Sequence, residues 1–113
     1  MRSHPNFRDE HLRVLNDHPV VAVMVADEPD QAVAACGALV RGGIRAVELA
    51  LRTPRALDCI EAVVREVPDI LPVAGTVIEP GQVDELVRRG VQAAVAPGCN
   101  PKIVRAALDA GLS

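Results

Sequence analysis

Aromatic residues are almost absent from this sequence. Phe7 is the only one among 113 residues, and there is no tryptophan or tyrosine, although half of the residues are hydrophobic. The core must therefore be built from aliphatic side chains, and the rings on which nucleic-acid bases stack are missing. The net charge of -3 also provides no basic surface for nucleic acid or an anionic membrane. We expect neither partner.

Long apolar runs and paired cysteines are missing as well. The longest apolar run, Val20 to Ala26, is far shorter than the roughly 20 residues that cross a bilayer, and the first ten residues contain no signal-peptide core. Cys36, Cys59 and Cys99 are odd in number and show no C-x-x-C spacing. Such cysteines favour free thiols in a reducing compartment over a disulfide framework. The sequence predicts a soluble, cytoplasmic protein.

The residues that are present alternate between strand and helix patterns. A leading helix is expected over residues 7–16, and strands are expected over 20–26, 46–53, 71–77 and 91–96. Each strand is followed by a predicted helix; these helices begin at Asp27 or Glu28, after Thr53 as an N-cap, at Gly81 and at Pro101. Strands that alternate with helices over short connections indicate a parallel sheet.

An internal repeat refines the fold class. Residues 39–47, L-V-R-G-G-I-R-A-V, match residues 86–94, L-V-R-R-G-V-Q-A-A, at an offset of 47 residues. A third copy begins at residues 110–112, where the sequence stops. The repeat favours half of a (β/α)8 barrel; a flavodoxin-like sheet is the alternative, although no glycine-rich phosphate loop follows any strand. We expect an N-terminal helical segment at 1–18 and a parallel (βα)4 half-barrel at 19–113, truncated before its fifth strand.

The strand predicted at 46–53, A-V-E-L-A-L-R-T, has one apolar face and one charged face. Alternation places Glu48 and Arg52 on the same face, together with Ala46 and Ala50. Buried parallel strands are usually apolar on both faces. The two charges in small-residue surroundings therefore indicate a functional site, and an inward salt bridge between Glu48 and Arg52 is the structural alternative.

Candidate ligand-binding residues gather at the carboxyl ends of the predicted strands, where parallel α/β folds place their sites. Arg52 offers a planar fork for a carboxylate, and the Thr76 hydroxyl adds a hydrogen bond. Gly75 would let a ligand approach the backbone, and Pro97 follows the fourth predicted strand. Glu48 lies deeper on the same face as Arg52 and is a candidate for proton transfer.

Five segments together indicate a family. They are P-V-V-A-V-M-V at 19–25, L-V-R-G-G-I-R-A-V-E-L-A-L-R-T at 39–53, E-V-P at 66–68, A-G-T-V at 74–77 and A-P-G at 96–98. In their order and spacing, they resemble the class I aldolases of the Entner-Doudoroff pathway, which cleave 2-keto-3-deoxy-6-phosphogluconate (KDPG) and 4-hydroxy-2-oxoglutarate (KHG). The resemblance covers most of residues 19–111.

The resemblance implies a (β/α)8 barrel, commonly trimeric, that splits a keto-deoxy sugar acid into pyruvate and an aldehyde without a metal or other cofactor. Glu48 matches the general acid/base of the family. Arg52 and Thr76 match residues that hold the pyruvate carboxylate, and Pro97 lies in a turn that borders the site.

The sequence departs from the family in its nucleophile. Family members form a Schiff base with a lysine on the sixth strand and bind the substrate phosphate through loops after the seventh and eighth. The only lysine here, Lys102, lies at the start of the last predicted helix and does not match. We therefore expect the N-terminal half of an aldolase, inactive alone; the alternative is a non-enzymatic, self-associating half-barrel that binds a small 2-oxoacid.

Other reactive residues give weaker signals. His4, His11 and His18 recur every seven residues, but neighbouring prolines place the first and last outside a helix, so no metal site is expected. Cys99 lies near the mouth of the predicted site, with no histidine placed to activate its thiol.

Overall fold

Helices and strands alternate along most of residues 6–113, the part of the chain that the computed structural model describes. Their order follows the predicted pattern except that no strand separates the last two helices, and most boundaries shift by one to three residues. The elements are α1 (Asp9–Asp17), β1 (Val21–Met24), α2 (Pro29–Arg41), β2 (Ala46–Ala50), α3 (Ala56–Glu66), β3 (Leu71–Gly75), α4 (Pro80–Arg88) and α5 (Pro101–Asp109).

The three strands form one parallel sheet in the order β1-β2-β3. Glu48 pairs with Val23 on one side and with Val73 on the other, and Ala50 pairs with Gly75. Paired residues of a parallel sheet project to the same face, so the register fixes which residues are neighbours. The predicted parallel order is confirmed.

The fourth predicted strand, 91–96, is an extended segment with a single bridge, between Ala94 and Ala74. Ala74 N–H donates to Ala93 O (3.0 Å), and Val95 N–H donates to Ala74 O (2.8 Å). On the other side, Ala94 N–H donates to the Ser113 carbonyl (2.9 Å). Only one residue of β3 thus pairs with this segment. Two residues earlier, Pro72 has no N–H with which to extend the ladder, so the pairing is too short to form a regular strand.

Thr53 does not cap α3, contrary to the sequence prediction. The N-cap residue is Arg55, and the Thr53 hydroxyl instead donates to the Ala26 carbonyl (2.8 Å). The expected start of α2 is confirmed, since Pro29 occupies its first turn after Glu28. Pro tolerates this position because its missing N–H has no partner within the helix there.

The core lies between one face of the sheet and helices α2 to α5. Val47 and Leu49 of β2 are fully buried against Ile60 and Val63 of α3, and Cys36 of α2 belongs to the same cluster. Burying a side chain of this size contributes about 1.5–3 kcal/mol. We call this the covered face of the sheet.

The opposite face of the sheet is open. Val21, Val23 and Val25 follow one another along β1 and beyond it, and their exposed fractions are 40%, 69% and 55%. The register places Glu48 beside Val23 on this face. We call it the open face; it corresponds to the interior side of the predicted half-barrel.

Helix α1 closes the amino-terminal end of the sheet through His11. The His11 side chain is buried; its Nδ1 lies 2.8 Å from Ser113 Oγ and its Nε2 lies 3.3 Å from Gln92 Oε1. Burial lowers the pKa of His11. Within residues 6–113 no group of histidine, cysteine and acidic side chains could hold a metal ion, and His4 lies outside the described residues.

None of the helices within residues 6–113 combines the length and apolarity that a bilayer crossing needs.

Candidate active site

Arg52 and Thr76 meet at the carboxyl end of the sheet, as the sequence predicts. Leu51 N–H donates to Gly75 O (2.9 Å), which continues the pairing of β2 with β3 by one residue, and Arg52 N–H then bonds to Ala50 O (2.9 Å). From this turn, Arg52 Nε donates to Thr76 Oγ1 (3.3 Å). A guanidinium and a hydroxyl therefore lie side by side, and both can donate to one carboxylate.

Thr76 adopts a backbone conformation that is rare for a β-branched residue. Its φ is +59°, and it is the only residue other than glycine with positive φ in the described chain. Such a conformation costs about 1–3 kcal/mol and persists where the surrounding structure fixes it. Here the chain turns away from β3, Val77 N–H bonds to Val95 O (3.3 Å), and the Thr76 hydroxyl is left beside Arg52.

Glu48 lies over Gly75 of the neighbouring strand. A Cβ atom added at Gly75 would lie 2.1 Å from Glu48 Oε1 and 2.6 Å from its Cγ. The Glu48 side chain thus lies in the space that a side chain at Gly75 would fill. The role of Gly75 in letting a ligand approach the backbone stays a prediction.

Glu48 and Arg52 do not pair with each other. No ion pair joins them within residues 6–113, so the structural alternative of an inward salt bridge is not supported. Glu48 is half-buried and Arg52 is exposed at the end of the same face. The carboxylate and the guanidinium are thus both available to a third molecule.

Pro97 is not brought into this group. It lies in the bend before α5 and borders a shallow cavity of about 280 Å³ with Val77, Ile78 and Cys99. In the described part of the chain, that cavity does not include Glu48, Arg52 or Thr76. The predicted role of Pro97 at the border of the site stays a prediction.

Lys102 lies away from the open face. It occupies the first turn of α5, where its backbone N–H donates to the capping Asn100 side chain (3.0 Å), and its own side chain is exposed. The structure therefore gives it no contact with Glu48 or Arg52 among the described residues. Its position agrees with an ordinary surface lysine.

Sequence reasoning missed the link between the loops after β1 and β2. Thr53 Oγ1 donates to Ala26 O, and Cys59 Sγ lies 3.7 Å from the same carbonyl. These contacts hold the residue that follows Arg52 against the end of β1. No signal in the sequence distinguishes them, because a threonine before proline serves equally well as a helix cap.

The chain matches the family model described as KDPG and KHG aldolase over residues 12–113. The KHG/KDPG aldolase of Escherichia coli (strain K12) is 38% identical over 104 residues, which are 92% of this chain and 49% of that protein. This chain therefore spans about half the length of the curated relatives it matches.

Two solved structures superpose on the same half. The KDPG aldolase of Legionella pneumophila, with pyruvate captured as a covalent carbinolamine intermediate, has a TM-score of 0.77 and 35% identity, covering 94% of this chain and 48% of that one. The 2-keto-3-deoxy-6-phosphogluconate aldolase of Zymomonas mobilis ZM4, with 3-phosphoglycerate, has a TM-score of 0.82 and 32% identity, covering 94% and 50%. These matches confirm the predicted half-barrel architecture.

Proposed function

Because this chain belongs to the KDPG and KHG aldolase family, we propose that its open face is the pyruvate-binding and proton-transferring part of an aldolase site. The reaction is the reversible cleavage of a 2-keto-3-deoxy sugar acid into pyruvate and an aldehyde. The contact between Arg52 and Thr76 is the observation that carries the proposal.

Arg52 and Thr76 bind the carboxylate of the pyruvate unit. Arg52 uses Nε to reach Thr76, and within residues 6–113 neither of its terminal nitrogens has a protein acceptor. Those nitrogens form the outer edge of the guanidinium fork, which suits a carboxylate. The strained turn at Thr76 holds the hydroxyl next to this edge, so the carboxylate would meet a charge and a neutral donor together.

Glu48 transfers protons deeper on the same face. It is half-buried, and no hydrogen bond or ion pair within the described residues engages its carboxylate. A carboxyl group that is close to the bound ligand yet free of a structural partner can serve as a general acid and base. Because it lies below Arg52, we expect it to face the keto group of a pyruvate whose carboxylate is bound at the strand end.

The nucleophile has to come from outside these 113 residues. In family members it is a lysine on the sixth strand, whose amine condenses with the substrate ketone and releases water, so that the iminium accepts the electrons of the breaking C–C bond. Lys102 neither matches that position nor contacts the open face. We propose that this polypeptide alone forms no Schiff base.

Trapping with borohydride tests the division between binding and nucleophile. The purified 113-residue chain is incubated with pyruvate and borohydride and then weighed by intact mass spectrometry, with the Escherichia coli KHG/KDPG aldolase as a positive control. We expect an adduct on the control and none on this chain. A stoichiometric adduct that maps to Lys102 and disappears in Lys102→Arg would contradict the proposal.

The oligomeric state and compartment belong to the same proposal. We propose a homo-oligomer, such as the trimer common in the family. We also propose a cytoplasmic location, because Cys36, Cys59 and Cys99 are all free thiols, as expected in a reducing compartment. The competing function is a half-barrel that associates with itself through the exposed valines of β1, without catalysis. Sedimentation equilibrium tests for association, which both functions involve, so a monodisperse monomer would contradict both.

A further inference from the structure

The one glycine of the sheet that faces a charged side chain has no conformational reason to be a glycine. Gly43, Gly90 and Gly111 have φ values of 93°, 81° and 77°, which other residues rarely adopt. Gly75 is not among the residues with positive φ, and it ends a regular parallel strand. Its requirement for glycine must therefore come from what lies above it.

What lies above Gly75 is a single side chain. The three atoms nearest to an added Cβ are Oε1, Cγ and Cδ of Glu48, at 2.1, 2.6 and 2.7 Å. All of these distances are too short for a real contact between heavy atoms. The space left by the missing side chain is thus filled by the carboxyl end of Glu48 and by nothing else as close.

We propose that Gly75 is a positioning residue for Glu48: the space of its missing side chain, here called the seat, receives the carboxyl end of Glu48 against β3, below the contact between Arg52 and Thr76. This inference rests on the proposed function for its catalytic meaning, although the seat itself is a property of the fold. Its chemical consequence is that Glu48 remains separate from Arg52 rather than forming an ion pair with it.

Two consecutive residues, at the end of β3 and in the turn after it, therefore contact Glu48 of β2 and Arg52 of the turn after β2. Gly75 accommodates Glu48, and Thr76, with its positive φ, contacts Arg52. With a side chain at position 75, the Glu48 carboxylate would have to leave β3 and rotate into the open face, toward the carboxyl end of the sheet where Arg52 lies. The carboxylate would then compete with a ligand for the guanidinium.

A double-variant cycle tests the seat without any ligand. We expect Gly75→Ala to lower Tm by roughly 4–8 °C, the effect of about 1 kcal/mol in a small domain, because the Glu48 side chain must leave β3 to admit the added methyl group. In a Glu48→Ala background the same change should lower Tm by less than about 3 °C. In a Glu48→Gln background the full loss should remain, since glutamine has the shape of glutamate without its charge.

Gly81→Ala is the matched control, because nothing lies within 4 Å of a Cβ added there in α4. It should leave Tm unchanged or raise it slightly. If Gly75→Ala alone fails to fold, recovery of the folded state in Gly75→Ala/Glu48→Ala is the expected result. An equal loss of Tm in the wild-type and Glu48→Ala backgrounds would overturn the proposal.

A spectroscopic readout separates positioning from stability alone. In the wild-type chain, nuclear Overhauser effects should join the γ protons of Glu48 to the α protons of Gly75. In folded Gly75→Ala, we expect the Glu48 γ protons to lose their contact with residue 75 and the Arg52 Nε–H resonance to shift. An unshifted Arg52 resonance in that variant would mean that the seat does not keep the two charges apart.

Pyruvate, added to the wild-type chain, tests the proposed function separately. If Tm shows coupling between positions 48 and 75 but pyruvate causes no shift at Arg52, the positioning role of Gly75 holds and the proposed function is contradicted. If pyruvate causes shifts at Arg52 but Tm shows no coupling, the proposed function holds and the positioning role is contradicted.

Discussion

The two faces of the sheet differ in what their side chains contact. On the covered face, Val47 and Leu49 are fully buried against helices. On the open face, Val23 is 69% exposed, and it neighbours the half-buried Glu48. The same strand, β2, contributes to both faces through simple alternation. In this chain, stability is therefore concentrated on one side of the sheet and the candidate chemistry on the other.

This division has a physical cause in the composition of β2. Its residues on the covered face, Val47 and Leu49, are large and aliphatic, so their burial away from water stabilises the fold. On its other face lie the buried residues Ala46 and Ala50 and, between them, the half-buried Glu48. Small neighbours let a charged side chain lie against the strand without being enclosed. A site can thus form on a face that contributes little to folding.

The largest expected contrast comes from truncating one side chain on each face. Leu49→Ala should lower the free energy of unfolding by about 2–5 kcal/mol, because it removes buried methyl groups and leaves a cavity. Val23→Ala, on the open face, should change it by less than about 0.5 kcal/mol. Urea unfolding followed by circular dichroism measures both. Equal losses would show that the open face is covered in solution.

A smaller effect is expected where α1 closes the end of the sheet. Burial lowers the pKa of His11 below the ordinary value of 6.5, so below about pH 6.5 the unfolded chain binds a proton that the folded chain resists. Stability should therefore fall as pH falls through that range, by at most about 1.4 kcal/mol per pH unit. Urea unfolding between pH 7.5 and 5 measures this slope.

The groups around His11 define the control. Glu10 lies 3.8 Å from its Nε2, and Arg8 opposes the charged form. His11→Gln removes the titrating ring and should flatten the stability profile in this range, while His18→Gln should retain it. The same slope in both variants would mean that carboxylates, rather than His11, cause the loss.

Much of the fold could be predicted because its signals are local. Alternation along β2 identified both faces, and proline at the start of α2 located that helix. The absence of a regular strand at residues 91–96 could not be predicted, because a strand also requires hydrogen bonds to a neighbouring strand, and only one residue of β3 pairs with this segment. The residue pattern shows that a segment can form a strand but not how many residues of a neighbour will pair with it.

The candidate site could likewise be predicted only in part. The meeting of Arg52 and Thr76 followed from their places at the ends of adjacent parallel strands. The proposed role of Gly75 in positioning Glu48 could not be predicted, because it depends on the direction of a glutamate side chain on another strand. The prediction that Thr53 caps α3 was wrong for the same reason, because the neighbouring residues do not reveal that its hydroxyl donates to the distant Ala26 carbonyl.

The measurement that tests the central claim most directly is a pyruvate titration of the ¹⁵N-labelled chain, read over all assigned resonances. We predict shifts at Arg52 Nε–H and the Thr76 amide, and none at Leu49 or Ile60 on the covered side. Arg52→Gln should weaken binding roughly tenfold or more, while Arg105→Gln, at an exposed position of α5, should not. Shifts confined to the covered side, or binding unchanged in Arg52→Gln, would contradict the account.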